Sequence, residues 1–229
     1  MPDTPLIVYA AGGVAPPLVK CADLYFDKTG VRARIASGKP EDLLRDIEDM
    51  GIGDLISLGA EYFMDVLESK GLVDRDSRVS LGTRTATILV GQGNPKDIRS
   101  LEDLARDDVT VGVATAGCLL GAWEDIAAKA ELTTVIRKRI MRFADSCGHL
   151  IRELNTDTVD AIIGWTSFRH FSPGKFECVP LPGDLAIKRS NALGRLTISR
   201  QPEEADRFTS FLMGAEAGEI FAAMEWYRG

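Results

Sequence analysis

At 229 residues, with 45% apolar and 27% charged side chains, the chain has the make-up of an ordinary globular protein and is long enough for one large domain or two modest lobes. Its net charge of −7 argues against nucleic acid as a partner but leaves a small anion open, because a pocket acts through local dipoles rather than bulk charge. No run approaches the roughly 20 apolar residues that cross a bilayer.

Strand and helix signals alternate from the start. Residues 6–9 predict a strand and residues 16–28 a helix with prolines in its first turn and Thr29-Gly30 as its stop. Residues 31–35 predict a strand, 40–50 a helix, 55–58 a buried strand and 61–70 a helix closed by Gly71. This βαβαβα series implies a parallel sheet with helices on its faces. After Gly71 the pattern changes: residues 85–90 form a β-branched run, and Gly93-Asn94-Pro95 a turn. A short helix over 101–105, a strand over 109–113, a helix over 119–130 and a strand ending at Phe143 follow. Then come a helix over 148–154, strands over 161–164, 176–181 and 193–198, and two closing helices over 202–213 and 215–226.

Four small-residue segments lead into these helices. They are Ala10-Ala11-Gly12-Gly13, Ala36-Ser37-Gly38-Lys39, Ala114-Thr115-Ala116-Gly117-Cys118 and Ala144-Asp145-Ser146-Cys147-Gly148. A loop opening a helix leaves backbone N–H groups without helical partners, and the helix dipole favours negative charge there. Gly12, Gly13, Gly38 and Gly148 let a ligand approach the chain closely, and Ser37, Thr115 and Ser146 can each donate a hydroxyl. Lys39 and Arg84 add positive charge from the rim, and Trp165, just after an apolar strand, offers an apolar wall with one indole donor. The bland alternatives are ordinary βα turns for the loops and core packing for Trp165; Trp123 and Trp226 read as core.

The four cysteines form no zinc spacing. Cys21 and Cys178 read as small buried apolar residues, whereas Cys118 and Cys147 each fall inside a proposed anion loop. Whether those two are bonded, free or facing ligand stays open, as does a soft-metal site with His149. His170 reads as a surface or interlobe residue.

The arrangement resembles a type II periplasmic binding protein, in which two α/β lobes are joined by two crossing strands. Within that superfamily it is similar to the molybdate- and tungstate-binding proteins of ABC importers. The matching residues are Val8-Tyr9-Ala10-Ala11, Ala36-Ser37-Gly38, and Asp54-Leu55-Ile56-Ser57-Leu58-Gly59-Ala60 running into Tyr62-Phe63-Met64-Asp65. Gly93-Asn94-Pro95 with Ile98-Arg99-Ser100-Leu101-Glu102-Asp103-Leu104-Ala105, then Val159-Asp160-Ala161-Ile162-Ile163-Gly164 and Ala217-Gly218-Glu219-Ile220-Phe221, continue the match. The chain departs from that subgroup at Gly12 and Gly13, where a serine is usual, and at Trp165, near which a tyrosine is frequent. Gly121-Ala122-Trp123-Glu124-Asp125 and Asp145-Ser146-Cys147-Gly148 also resemble the colonisation-factor and adhesin-type branch, some members of which bind small organic acids.

The resemblance implies an α/β, two-lobed molecule: residues 1–82 plus 196–229 as one lobe and 86–192 as the other, with hinge strands near 82–87 and 193–197. It implies a monomeric, non-enzymatic receptor that closes like a Venus flytrap on an oxyanion and presents it to an ABC-importer permease, without a cofactor or metal. A small organic acid is the alternative ligand. A periplasmic or extracellular protein whose leader has been removed is expected from the abrupt start at Met1-Pro2-Asp3-Thr4; a cytosolic ligand-sensing domain is the alternative. A cysteine-dependent enzyme would need a base, and only His149 stands near Cys147 in the chain.

Overall fold

The computed structural model describes residues 4–228; residues 1–3, on which the expectation of a removed leader rests, and residue 229 lie outside them. The chain divides into two compact units, Met1–Thr83 with Ser190–Gly229, and Arg84–Arg189.

The first unit is built from β1 (Leu6–Ala11), α1 (Ala15–Thr29), β2 (Ala33–Gly38), α2 (Pro40–Met50), β3 (Leu55–Ser57) and α3 (Glu61–Ser69). The first part of β4 (Val73–Gly91), the last part of β9 (Lys188–Leu196), α7 (Pro202–Met213) and α8 (Ala215–Ala223) complete it. Its strands run in the order β2-β1-β3-β9-β4, parallel from β2 to β3 and antiparallel between β3 and β9. Alternation along β1 sorts its side chains onto two faces. Leu6, Val8 and Ala10 join Leu18, Cys21 and Tyr25 of α1 with Phe208 and Phe221 of α7 and α8; Tyr9 joins Leu43, Ile47, Ile56 and Met64 on the other face. The buried Glu204 carboxylate accepts the Tyr25 hydroxyl at 2.6 Å and the Arg207 Nε at 2.8 Å, so the polar group in this core is paired. Asp54 ties strand ends together, accepting from the Ile7 amide at 2.9 Å and the Ser199 hydroxyl at 2.6 Å.

The second unit holds the rest of β4, then β5 (Val111–Ala114), α4 (Ala122–Lys129), α5 (Thr133–Arg137), β6 (Ile140–Ala144), α6 (Cys147–Asn155), β7 (Ala161–Trp165) and β8 (Phe176–Pro180). Its strand order is β8-β4-β7-β5-β6: β4 is antiparallel to both flanking strands, and β7, β5 and β6 are parallel. Gly164 permits the close packing of β7, since a Cβ there would stand 2.8 Å from Phe168 and 2.9 Å from Leu89.

The structure corrects the sequence reading at three elements. β4 begins at Val73, not near residue 85; its first half carries Asp74, Arg75, Asp76 and Arg78, which read as a polar break. Three of those charges are paired: Arg78 with Glu61, Asp65 and Glu68 of α3, Arg75 with Glu68 at 3.4 Å, and Asp74 with Arg195 of β9 at 2.5 Å. The helix expected over 119–130 is a 3₁₀ turn at Gly117–Leu119 followed by α4, separated by Gly121 at φ 73°, a left-handed conformation that ends the first turn. An additional short helix, α5, precedes β6.

Candidate functional site

The loops named from sequence sit at the C-terminal ends of strands in both units. In the first unit, β1 and β2 run in parallel register with Ala10 opposite Ser37 and Ala11 opposite Gly38, so the first two small-residue segments lie side by side. Ser37 and Gly38 belong to β2 itself rather than to a loop. The Gly12 amide donates to the Gly38 carbonyl at 3.2 Å, so that donor is engaged within the fold. A Cβ on Gly12 would lie 4.0 Å from the Ser37 hydroxyl, and one on Gly38 would press on Leu43 at 3.1 Å. Gly12, Ser37 and Lys39 are exposed and Gly13 is buried; Lys39 caps α2, its carbonyl accepting the Leu43 amide at 3.0 Å.

In the second unit, side chains rather than backbone define the site. The Cys118 and Cys147 sulfurs are 3.3 Å apart, and the Trp165 indole N–H donates to Cys118 Sγ at 3.1 Å. The Arg84 guanidinium lies over the Trp165 ring, 5.0 Å from its centroid. Arg84 and Trp165 are both 0% exposed, so the sequence placement of Arg84 on a rim is corrected: it is fully buried. A buried cation needs a partner. Cys118 supplies one: the Cys147 S–H, then Arg84 and the Trp165 N–H, hold its thiol well below the ordinary range against the opposing effect of burial. Cys147, donating to that sulfur and itself desolvated, is pushed well above its ordinary value. The pair is therefore asymmetric: Cys118 is the more readily ionised sulfur and Cys147 the one that holds its proton more tightly.

Around this cluster the remaining sequence-named residues serve the loops. The Thr115 hydroxyl and amide both donate to the Ala144 carbonyl, at 3.2 and 2.9 Å, fastening the ends of β5 and β6. Ser146 is the N-cap of α6: its hydroxyl accepts the His149 amide at 3.2 Å and lies 3.3 Å from an Asp145 oxygen. Gly148, in the first turn of α6, is exposed and has open space where a Cβ would stand.

Sequence reasoning missed Arg189, which donates to the carbonyls of Cys118 at 3.0 Å and Leu120 at 2.9 Å and so holds the Cys118 turn. It lies 71 residues along the chain from Cys118, about two thirds of the unit, and no local pattern announces it. The His149 ring faces Asp145 at 3.2 Å and Glu153 at 2.9 Å rather than the two thiols. Among the described residues there is no group of three or more His, Cys, Asp or Glu side chains placed to hold a metal ion. Cys21 is a core residue whose thiol burial pushes up to about 12, and Cys178 Sγ approaches the Thr166 carbonyl at 3.9 Å.

Residues 6–224 match the family model described as bacterial extracellular solute-binding protein. The chain belongs to that family. A curated relative, the molybdate-binding protein ModA of Mycobacterium bovis, is 22% identical over 216 residues, covering 94% of this chain and 81% of the relative. The solved structure of Peb3 from Campylobacter jejuni superposes with a TM-score of 0.85 at 24% identity, covering 98% of this chain and 100% of that one. The periplasmic molybdate-binding protein of Azotobacter vinelandii does so with a TM-score of 0.80 at 16% identity, covering 98% and 99%. The fold is that of the type II periplasmic binding proteins, and the chain is a solute-binding protein. No helix among the described residues is long and apolar enough to cross a membrane.

Proposed function

We propose that this solute-binding protein captures a molybdate- or tungstate-like oxyanion outside the cytoplasm and delivers it, as a monomer, to the permease of an ABC importer. The observation that carries the reading is the fully buried Arg84 guanidinium, packed on Trp165 beside the two helix-opening loops of the second unit. The guanidinium, partnered by Cys118, stands close to Cys147 at the start of α6, whose first-turn amides favour an anion. Curated relatives named for molybdate binding support the same reading. Charge-assisted bonds contribute about 1.5–3 kcal/mol each, so five or six offset the dehydration of a tetrahedral dianion.

A second reading, a small organic or phosphorylated acid, is favoured by the absence of any hydroxyl at Gly12-Gly13. A fold neighbour solved with L-phospholactate bound has a TM-score of 0.87 to this chain, and a sulfate-binding neighbour one of 0.84. A thermal-shift panel of molybdate, tungstate, sulfate, phosphate, phospholactate and simple carboxylates separates the two, because a ligand that binds only the native state raises Tm. Molybdate and tungstate are expected to give the largest rise. A rise with carboxylates alone replaces the first reading with the second, and no rise with any of these anions overturns both.

A further inference from the structure

We propose that Cys118 and Cys147 form a redox-active pair that closes to an intramolecular disulfide, a covalent modification site joining the turn after β5 to the first turn of α6. The inference stands apart from which solute the protein carries, since it rests on the sulfurs themselves. Their separation of 3.3 Å is a contact distance, and a bond of about 2.05 Å requires only a small approach. The two residues are 29 positions apart and follow the neighbouring parallel strands β5 and β6, whose ends are fastened by the bonds from Thr115 to Ala144. The pair is therefore held in register before any bond forms.

The surroundings also divide the labour between the sulfurs. Cys118 receives the Trp165 N–H at 3.1 Å and shares its space with the Arg84 cation, an environment that favours the thiolate. Cys147 keeps its proton and is the more exposed of the two. With hydrogen peroxide as oxidant the chemistry balances in two steps. The Cys118 thiolate attacks one peroxide oxygen, the O–O bond breaks, hydroxide leaves and Cys118 becomes a sulfenic acid. The Cys147 sulfur then attacks the Cys118 sulfur, the S–O bond breaks, and the thiol proton leaves with the hydroxyl as water. Two sulfurs have lost two electrons, and one peroxide has been reduced. The reverse step needs an external dithiol, which becomes a disulfide as the pair regains two thiols.

Closure removes the thiolate that faces Arg84 and ties two loops that are otherwise joined by hydrogen bonds alone. The modified protein therefore differs from the reduced one in local charge as well as in covalent connection.

Trypsin places the four cysteines in separate peptides, with Cys118 in residues 107–129 and Cys147 in residues 143–152. The test treats the reduced full chain with hydrogen peroxide, blocks remaining thiols and maps the peptides by mass spectrometry. The expected product is peptide 107–129 linked to 143–152, reversed by dithiothreitol, with Cys21 and Cys178 still alkylated. In Cys147→Ser, oxidation should stop at a sulfenic acid on Cys118 that dimedone traps; in Cys118→Ser, neither product should form. Cys147→Ser leaves the buried Cys118, Trp165 and Arg84 in place, so it keeps the test decisive if Cys118→Ser fails to fold. Unlinked peptides carrying independent sulfinic acids, or links through Cys178 or between molecules, overturn the proposal.

Discussion

The helix-opening loops of the first unit are assembled through the backbone, whereas those of the second are assembled around buried side chains. In the first unit Gly12 and Gly38 are joined amide to carbonyl and Ser37 stands exposed on the strand edge. In the second, two cysteine sulfurs, an indole and a guanidinium share one desolvated cluster, and the adjacent loops are pinned by Thr115, Ser146 and Arg189. The same sequence signature, small residues before a helix, thus yields two physically different surfaces. The contrast predicts that the first surface loses a side chain with less structural consequence than the second.

The largest test of that contrast is Arg84→Met. Removing one member of a buried charge pair leaves the other uncompensated, and a loss of about 3–5 kcal/mol in urea-induced unfolding is expected. Arg84→Lys keeps the charge but not the flat stacking surface over Trp165, so it should fall between wild type and Arg84→Met. A cost below about 1 kcal/mol for Arg84→Met would show that the cluster does not hold the second unit together.

Next come the two serines. Ser146→Ala removes the α6 cap and should cost about 1 kcal/mol of stability, while the exposed Ser37→Ala should stay within about 0.5 kcal/mol of wild type. If both donate to the solute, calorimetry should show each variant binding about 1–3 kcal/mol more weakly. Unchanged affinity in both removes them from the site; a matching stability loss in Ser37→Ala would erase the contrast between the units.

The smallest effect concerns Asp103, in a turn of the second unit away from the sulfur cluster. Its carboxylate accepts the Arg99 and Ser100 amides at 2.8 and 3.0 Å, and these bonds hold its pKa below the usual carboxylate value. The sign follows from linkage: the contribution is complete above the unfolded value of about 3.9 and is lost as pH falls through the lower folded value. Acid titration of Asp103→Asn against wild type should show the difference in stability shrinking through that window, and a difference independent of pH would refute it.

How legible each feature was depended on how local its cause is. The helices over 40–50 and 202–213 carry proline at the start, acidic residues in the first turn and glycine after the end, and the structure has helices with those bounds. The first half of β4 was illegible because Arg78 is paired by α3 and Asp74 by Arg195 of β9, and a run of charges does not announce such partners; Arg195 is 121 residues from Asp74. The fold class was readable from the order of elements. Within the site, the loops were readable because glycine and serine mark them locally. The contacts from Trp165 to Cys118, 47 residues apart, and from Arg84 to Trp165 are made only by tertiary packing. The two cysteines could be singled out by their matching positions, but not their mutual contact.

The division of the chain carries a further consequence during synthesis. The first unit needs both ends of the polypeptide: α1 presents Leu18, Cys21 and Tyr25 to a core completed by Phe208, Leu212 and Phe221, and Thr83 bonds to Tyr227. All of residues 84–189 leave the ribosome before those partners exist. At roughly 5–20 residues per second, the apolar face of α1 waits for roughly 10–40 seconds without its native cover. The second unit, continuous in sequence, can close in that interval. Chains truncated after residue 190 and released from the ribosome should therefore protect the second unit from protease while the first remains open, which makes the N-terminal third the segment most in need of a chaperone.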